Sequence, residues 1–244
     1  MAETFGQDTV SPDQRRDLIR RTFRSVAPRY DLMNDLMSLG IHRWWKASFV
    51  AMADPKPGEV VVDVAGGTGD VARLLVARGA IVTVVDPSAE MMSVGRARPG
   101  AGGITWVEGE AEVLPLADTS VDLVTVAFGI RNVTRIEDAL AEIHRVLKPG
   151  GRFHCLEFST PQRWLAPLYE AWSRTAIPAL GAAVSGRIEA YRYLVESIRR
   201  FPDQRQFADL IGDAGFSDVS WRDLSFGIAA VHRAIRDDRR WSRS

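Results

Sequence analysis

The chain has 244 residues, 46% of them hydrophobic, and a formal net charge of zero. That size suits one α/β domain with an extra lobe, able to bury roughly 70–75% of its unfolded surface without covalent staples. Its 31 basic residues balance its 31 acidic ones, so no global field draws nucleic acid, and the one cysteine, Cys155, excludes a disulfide framework or a cysteine-based zinc site. No apolar signal region opens the chain and no run approaches the ~18 apolar residues of a spanning helix. A soluble protein of a reducing compartment is expected, which still leaves contact with a membrane surface open.

In chain order, Met1 to Pro12 is polar and expected to lack regular structure. Residues 13–53 carry a helical pattern and form an N-terminal cap, with Arg15, Arg16, Arg20, Arg21 and Arg24 crowded on it. That cluster suits either a solvated helix face or anionic lipid. Asp54-Pro55-Lys56-Pro57-Gly58 is a turn-rich linker. It leads into Val60-Val61-Val62-Asp63-Val64, a β-branched run that ends in Ala65-Gly66-Gly67-Thr68-Gly69-Asp70 and opens onto a helical segment, Val71 to Arg78. Strand–turn–helix units of this kind bind adenine-containing ligands, because small residues let a ligand approach the backbone at a helix start.

Two ligand chemistries compete for that turn. Gly67 to Ala72 satisfies the G-x-G-x-x-G/A pattern of dinucleotide sites, a weak signal alone. Asp63 and Asp70, however, bracket the glycines. Two acids repel a pyrophosphate and suit a ligand carrying an ammonium and a sulfonium. Asp70 taken alone is also ordinary helix-dipole complementation. The pattern resembles motif I of class I methyltransferases, which implies S-adenosyl-L-methionine bound along Asp63, Gly66, Gly67, Thr68 and Gly69.

The next strand, Ala80 to Asp86, ends in an acid about 20 residues on, where a carboxylate takes ribose hydroxyls or caps the following helix, Ser88 to Arg98. Ile104 to Glu108 is a third strand, Ser120 to Ala127 a fourth, Arg135 to Leu147 a helix, and Arg152 to Ser159 a fifth strand, with Cys155 as a small buried residue. Strands alternating with helices of this length predict a doubly wound, mostly parallel sheet. After Pro161 the alternation lapses. Trp164, Leu165, Leu168, Tyr169 and Trp172 recur at helical spacing, and a helical stretch runs through Tyr191 to Ile198. A helix from Asp203 to Asp213 and an antiparallel pair, Phe216 to Leu224 with Phe226 to Ile235, complete the chain. One domain is expected, divided into a cap (13–53), a cofactor-binding core (58–160), a helical insert or lid (161–202) and a C-terminal helix with strand pair (203–236).

Four further stretches narrow the chemistry. Tyr30 to Ser38 with His42 and Trp45, Phe128-Gly129-Ile130-Arg131-Asn132-Val133, Arg145 to Arg152 leading to Glu157-Phe158-Ser159, and Tyr191-Arg192-Tyr193-Leu194 with Phe201-Pro202-Asp203-Gln204 resemble, in order, the signatures of the UbiE-type quinol C-methyltransferases. The resemblance runs from Phe23 to Arg236. It implies a Rossmann-like class I fold with an antiparallel last strand, N-terminal helices and a helical insert after the fifth strand. It further implies methylation of a ring carbon of a polyprenylated quinol, demethylmenaquinol or 2-methoxy-6-polyprenyl-benzoquinol. Adenine is then expected at Glu110 and the Ala111 backbone, ribose at Asp86, and further cofactor contact at Ala127. Glu110 stands where Asn or Asp is common and Ala127 where Ser is common, though a carboxylate still accepts an amine hydrogen bond.

A ring carbon becomes nucleophilic when a neighbouring hydroxyl loses its proton, which a quinol permits and a quinone does not. Arg131, always protonated, is the expected electrostatic partner of the phenolate, and Asn132 is expected to orient the ring oxygen. His42 and Glu157 are the candidate proton acceptors, alongside water. No metal is expected. The Trp164–Trp172 stripe and Trp44, Trp45 and Phe49 are candidates for a lid and tail groove, or simply for core. A substrate that lives in lipid implies a cytoplasmic protein peripheral on the inner face of the membrane, with a quinone-biosynthesis complex or a homodimer compatible with the sequence. A methyltransferase for another small phenolic or lipid substrate, an NAD(P)-dependent oxidoreductase and a non-catalytic scaffold are the competing functions.

Overall fold

The computed structural model describes residues 3–5, 8–10, 14, 35, 38, 40–172, 175 and 195–237. Near the N-terminus, β1 (Glu3–Phe5) and β2 (Asp8–Val10) pair antiparallel, where no regular structure was expected. The sequence between them, Gly6-Gln7, has the glycine-first composition that two-residue hairpin connections favour.

The main sheet follows from its apolar runs. β3 (Val60–Val64), β4 (Ile81–Asp86), β5 (Ile104–Glu108) and β6 (Val121–Ala127) are parallel, and β3 and β6 are buried on both faces, which is why they read as nearly continuous hydrophobic stretches. β7 (Leu147–Phe158) begins five residues earlier than the sequence suggested, from a pairing of Val121 with Leu147 that jumps to Leu123 with Arg152. The residues Lys148 to Gly151 form the excursion, held by a 2.7 Å ion pair from Lys148 to Asp122. β8 (Phe216–Leu224) and β9 (Ala229–Arg236) complete a seven-stranded sheet of order β5-β4-β3-β6-β7-β9-β8, in which β9 alone runs antiparallel to its neighbours.

Helices cover both faces. α1 (Ile41–Ala53) and α2 (Asp70–Val76) lie with α3 (Ala89–Arg96) on one side, where Trp45, Phe49, Leu75 and Met92 meet Val61, Val82 and Leu123. α4 (Ile136–Val146) and α5 (Gln204–Asp213) lie on the other, where Leu140, Ile143, Phe207 and Ile211 meet Val62, Val64, Val124 and Phe153. Asp203 caps α5 with a full capping box through Gln206. Strand alternation therefore sends Asp63, like Val61, toward the α1/α2 side. From β3 the chain winds one way through β4 and β5 and the other way from β6, so the crevice where order reverses lies between β3 and β6, the usual ligand position in such sheets.

Of the expected cap, only residues 14, 35, 38 and 40–53 are described, so the arginine cluster lies outside. Residues 166–172 and 195–200 of the insert are helical, while Tyr191, Tyr193 and Leu194 lie outside the described residues.

Candidate active site

The loops after β3 and β6 meet at the crevice. Ala65 and Phe128, the first residue beyond each strand, both adopt left-handed backbone, with φ of 53° and 57°. Such conformations are costly for non-glycine residues and cluster at functional sites. Beneath the turn, a Cβ on Gly66 would stand 2.8 Å from Asp63 Oδ2, and Gly67 has a φ of +55°. Gly69 caps α2 with a φ of +73°, and a Cβ there would strike Trp106 at 2.5 Å.

A cavity of about 400 Å³ opens against this turn. Asp63, Gly66, Gly67, Thr68 and Ala127 line it, as do His42 and Arg131. Asp63 is buried, and its Oδ1 accepts a 2.7 Å hydrogen bond from Thr125 Oγ1 on the paired strand. Its Oδ2 has no partner among the described residues. Burial pushes its carboxyl up to about 7, against the pull of Thr125 and Lys46.

Asp70 departs from the sequence reading in part. It lines the cavity with Asp63, as two acids bracketing the turn imply, but its charge is taken up by the protein: Lys46 Nζ donates to its Oδ2 at 2.7 Å, and Arg73 Nη2 and Arg98 Nη1 donate to its Oδ1 at 2.6 and 3.0 Å. These cations overcome its burial and hold its carboxyl down at about 2. One acid, not two, is left without a counter-charge at the turn.

Asp86 accepts at both oxygens, from Gly67 N and from Ser88 N, each at 2.8 Å. The capping alternative falls to Ser88, whose hydroxyl accepts from Met91 N. Burial pushes the Asp86 carboxyl up to about 6, the two backbone donors opposing and the charge of Glu110 adding to the rise. Glu110 follows the end of β5, half-buried, and Ala111 is core. Asp86, Glu110, Ala111 and Gly69 are not on the cavity wall.

The same wall carries Trp45, Phe128, Phe158, Leu165, Leu168, Tyr169 and Trp172. Arg131, buried in the 3-10 turn Ile130–Asn132, donates from Nη1 to Phe128 O at 2.6 Å and to Glu157 Oε1 at 2.7 Å, and its guanidinium lies 5.4 Å from the Phe158 ring. Its Nε has no partner among the described residues. Asn132 and Glu157, expected beside Arg131 at the ligand, are both off the wall. Successive side chains of a 3-10 turn diverge by about 120°, so Asn132 turns elsewhere. Glu157 is the ion-pair partner of Arg131 rather than a wall residue, with burial pushing its carboxyl up against the pull of that arginine. His42 is on the wall. Its Nδ1 is 2.8 Å from Ser38 Oγ and its Nε2 is 3.8 Å from Asp35 Oδ1, and burial with the nearby Lys46 charge lowers its pKa.

Sequence reading missed Lys46, Ser38 and Phe158 as wall residues. Lys46 had a legible signal: it falls on the stripe His42, Trp45, Phe49, Val50 and Ala53 that α1 buries.

Residues 9–236 match the ubiE/COQ5 methyltransferase family. The ubiquinone/menaquinone biosynthesis C-methyltransferase UbiE of Rubrivivax gelatinosus is 62% identical over 236 residues, covering 97% of this chain and 94% of that one. The rat mitochondrial 2-methoxy-6-polyprenyl-1,4-benzoquinol methylase is 44% identical, covering 96% of this chain and 85% of its own. Among solved structures, a Thermotoga maritima SAM-dependent methyltransferase described as a possible histamine N-methyltransferase aligns with a TM-score of 0.66 at 23% identity, over 90% of this chain and all of that one, which shows the fold alone. A match of this extent, on a class I methyltransferase sheet with its crevice at the glycine turn, settles that the chain belongs to the ubiE/COQ5 methyltransferase family.

Proposed function

We propose that this protein uses S-adenosyl-L-methionine to methylate a ring carbon of a polyprenylated quinol, taking demethylmenaquinol, 2-methoxy-6-polyprenyl-1,4-benzoquinol or both. The observation that carries the reading is one cavity whose wall holds two unlike groups. A buried carboxylate oxygen without a partner lies under the glycine turn, and a guanidinium set among aromatic rings lies beyond β6. The turn fits the methyl donor and disfavours a diphosphate. Asp63 Oδ2 offers an acceptor to an ammonium, Asp86 keeps acceptor capacity for ribose hydroxyls, and Glu110 extends the same strand-end row toward an adenine amine. When bound, S-adenosyl-L-methionine supplies an electrophilic methyl group on a sulfonium.

The remaining work belongs to the protein. Gly66, Gly67, Thr68 and Gly69 admit the ligand to the backbone, and Ala127 keeps the β6 end clear. Arg131 offers its free Nε and its charge to a ring oxygen that is losing its proton, in a low-dielectric chamber where that attraction is strong. Glu157 positions Arg131, and Asn132 supports the same turn. His42, kept neutral by burial, accepts the ring proton directly or by way of the Ser38 hydroxyl. The aromatic part of the wall takes the ring and the start of the tail. Trp44, Trp164, Leu168 and Phe226 are exposed, and no helix among the described residues is long and apolar enough to cross a membrane. These features support peripheral docking on the bilayer that holds the substrate.

The test is methyl transfer from labelled donor by the purified protein to reduced and to oxidised prenylated quinones, with calorimetry against S-adenosyl-L-methionine and NADH. Labelled product from the quinol alone, with binding of the methyl donor alone, is expected. Binding of NADH instead, or no label in any quinol, overturns the reading.

A further inference from the structure

The cavity wall carries a cation that the chemistry above does not use. Lys46, on α1, is only 8% exposed. Its ammonium has three protons to donate, and its one hydrogen-bond acceptor among the described residues is Asp70 Oδ2 at 2.7 Å. Asp70 has no need of it, because Arg73 and Arg98 already donate to the other oxygen. Three cations thus share one carboxylate, and the surplus positive charge is on the side of the cluster that lines the cavity. A buried ammonium with donors to spare is expensive unless a second anion completes its shell. On the same wall stands Asp63, close enough for the Lys46 charge to act on its carboxyl, with Oδ2 unpartnered. One ammonium with donors to spare and one carboxylate oxygen without a hydrogen-bond partner among the described residues, both on the wall that includes the glycine turn, form the complement of a zwitterion.

We infer that Lys46 binds the carboxylate of the methyl donor's amino-acid end while Asp63 takes its ammonium, so that α1 recognises the donor's α-amino-acid group. This rests on the S-adenosyl-L-methionine reading above. The other candidate anion, a phenolate of the quinol, has a cation of its own in Arg131, whose Nε has no hydrogen-bond partner among the described residues. A donor bound this way ties the cap to the core through Lys46. Trp45 Nε1 donating to Ser225 Oγ at 2.9 Å is already in place as the neighbouring tie.

Calorimetry with S-adenosyl-L-methionine and with decarboxylated S-adenosylmethionine, which keeps the sulfonium and the ammonium, tests the inference on the whole chain. Wild type is expected to bind the complete donor about 10- to 100-fold more tightly, the size of one charge-assisted hydrogen bond. Lys46→Met is expected to lose that preference, weakening the complete donor while leaving the decarboxylated one within about threefold; Lys46→Arg restores part of it. Equal affinity of wild type for the two compounds overturns the inference without any variant. So does a Lys46→Met protein that loses both equally, which would make Lys46 a tie between α1 and α2 only. Failure of wild type to bind either compound removes the donor reading itself and is distinct from both results.

Discussion

Gly129 and Ala65 meet across the crevice with no room for a second methyl group: a Cβ on Gly129 would stand 2.5 Å from the Cβ of Ala65. Gly129 itself does not have a positive φ, so contact rather than backbone conformation demands glycine there. Gly129→Ala is expected to cost about 1–3 kcal/mol, the range of overpacking in a tight core, and to lower activity by pushing the two loops apart. Ala65 is left-handed at φ 53°, so Ala65→Gly relieves strain at the atom with which the new methyl would collide. Urea unfolding should show the double variant Ala65→Gly/Gly129→Ala recovering most of the loss. A double variant no more stable than the single one would mean the clash is not what fixes Gly129.

Arg131 and Glu157 form a buried pair at 2.7 Å, and a pair of this kind is felt most when one partner is removed. Glu157→Gln should lower stability by about 3 kcal/mol, because a buried guanidinium loses its counter-charge. Arg131→Lys keeps the charge but cannot hold Phe128 O and Glu157 together while lying against Phe158. Its turnover should fall about 10²-fold, the usual loss for one donor aimed at developing charge, with donor affinity within about twofold. Wild-type turnover in Arg131→Lys, measured at saturating quinol, would remove the assigned role.

The centre of the sheet was legible because β3 and β6 are β-branched runs buried on both faces and because β3 leads into a glycine turn that opens a helix. The site was legible only where a residue's role depends on its own strand. Asp63, within β3, is on the cavity wall, while Asp86, the last residue of β4, is off it and accepts from the Gly67 amide of the turn. Asp70 lines the cavity as expected, but its neutralisation was not legible, because two of its three cations, Lys46 and Arg98, arrive from 24 and 28 residues away; only Arg73, one helical turn on, is local. Lys46 was overlooked for the same reason, its partner lying on another helix. The Trp164–Trp172 stripe looked like one lid surface, yet Trp164 is 65% exposed while Trp172 is part of the cavity wall. Spacing along a helix cannot say which of its apolar residues the rest of the protein will cover.

Asp63 makes the ligand-free protein pH-sensitive in a defined direction. Its carboxyl sits at about 7 in the fold against 3.8 for the free group, because burial penalises the charged form. The folded state therefore holds the extra proton, and stability contributed below pH 4 is lost as pH rises through 7, by at most about 4 kcal/mol. Asp86, pushed up to about 6, acts in the same direction over a narrower window. A ligand ammonium placed on Asp63 favours the ionised form, so donor binding near pH 6 should release close to one proton. Calorimetry in buffers of different ionisation enthalpy measures that release. Asp63→Asn should remove the larger share of the slope between pH 4 and 7, leaving that of Asp86, and abolish the proton signal; a persistent signal would place the titrating group elsewhere.

The exposed rim beside the cavity separates membrane docking from substrate binding. Trp164 stacks edge-on against Phe226, with ring centroids 5.2 Å apart, and the two side chains stand 65% and 59% exposed. Side chains of this size contribute about 1–2 kcal/mol each when an apolar face leaves water. Trp164→Ala/Phe226→Ala, at two exposed rings that are off the cavity wall, should therefore lower sedimentation with liposomes by about tenfold or more, while turnover of a short-tailed, water-soluble quinol stays near wild type. Trp172→Ala should do the reverse, raising KM for the quinol with pelleting unchanged, since that ring helps wall the cavity. Should the rim variant pellet as wild type does, the exposed aromatics are not the docking face, and the tail must reach the cavity from a different side of the molecule.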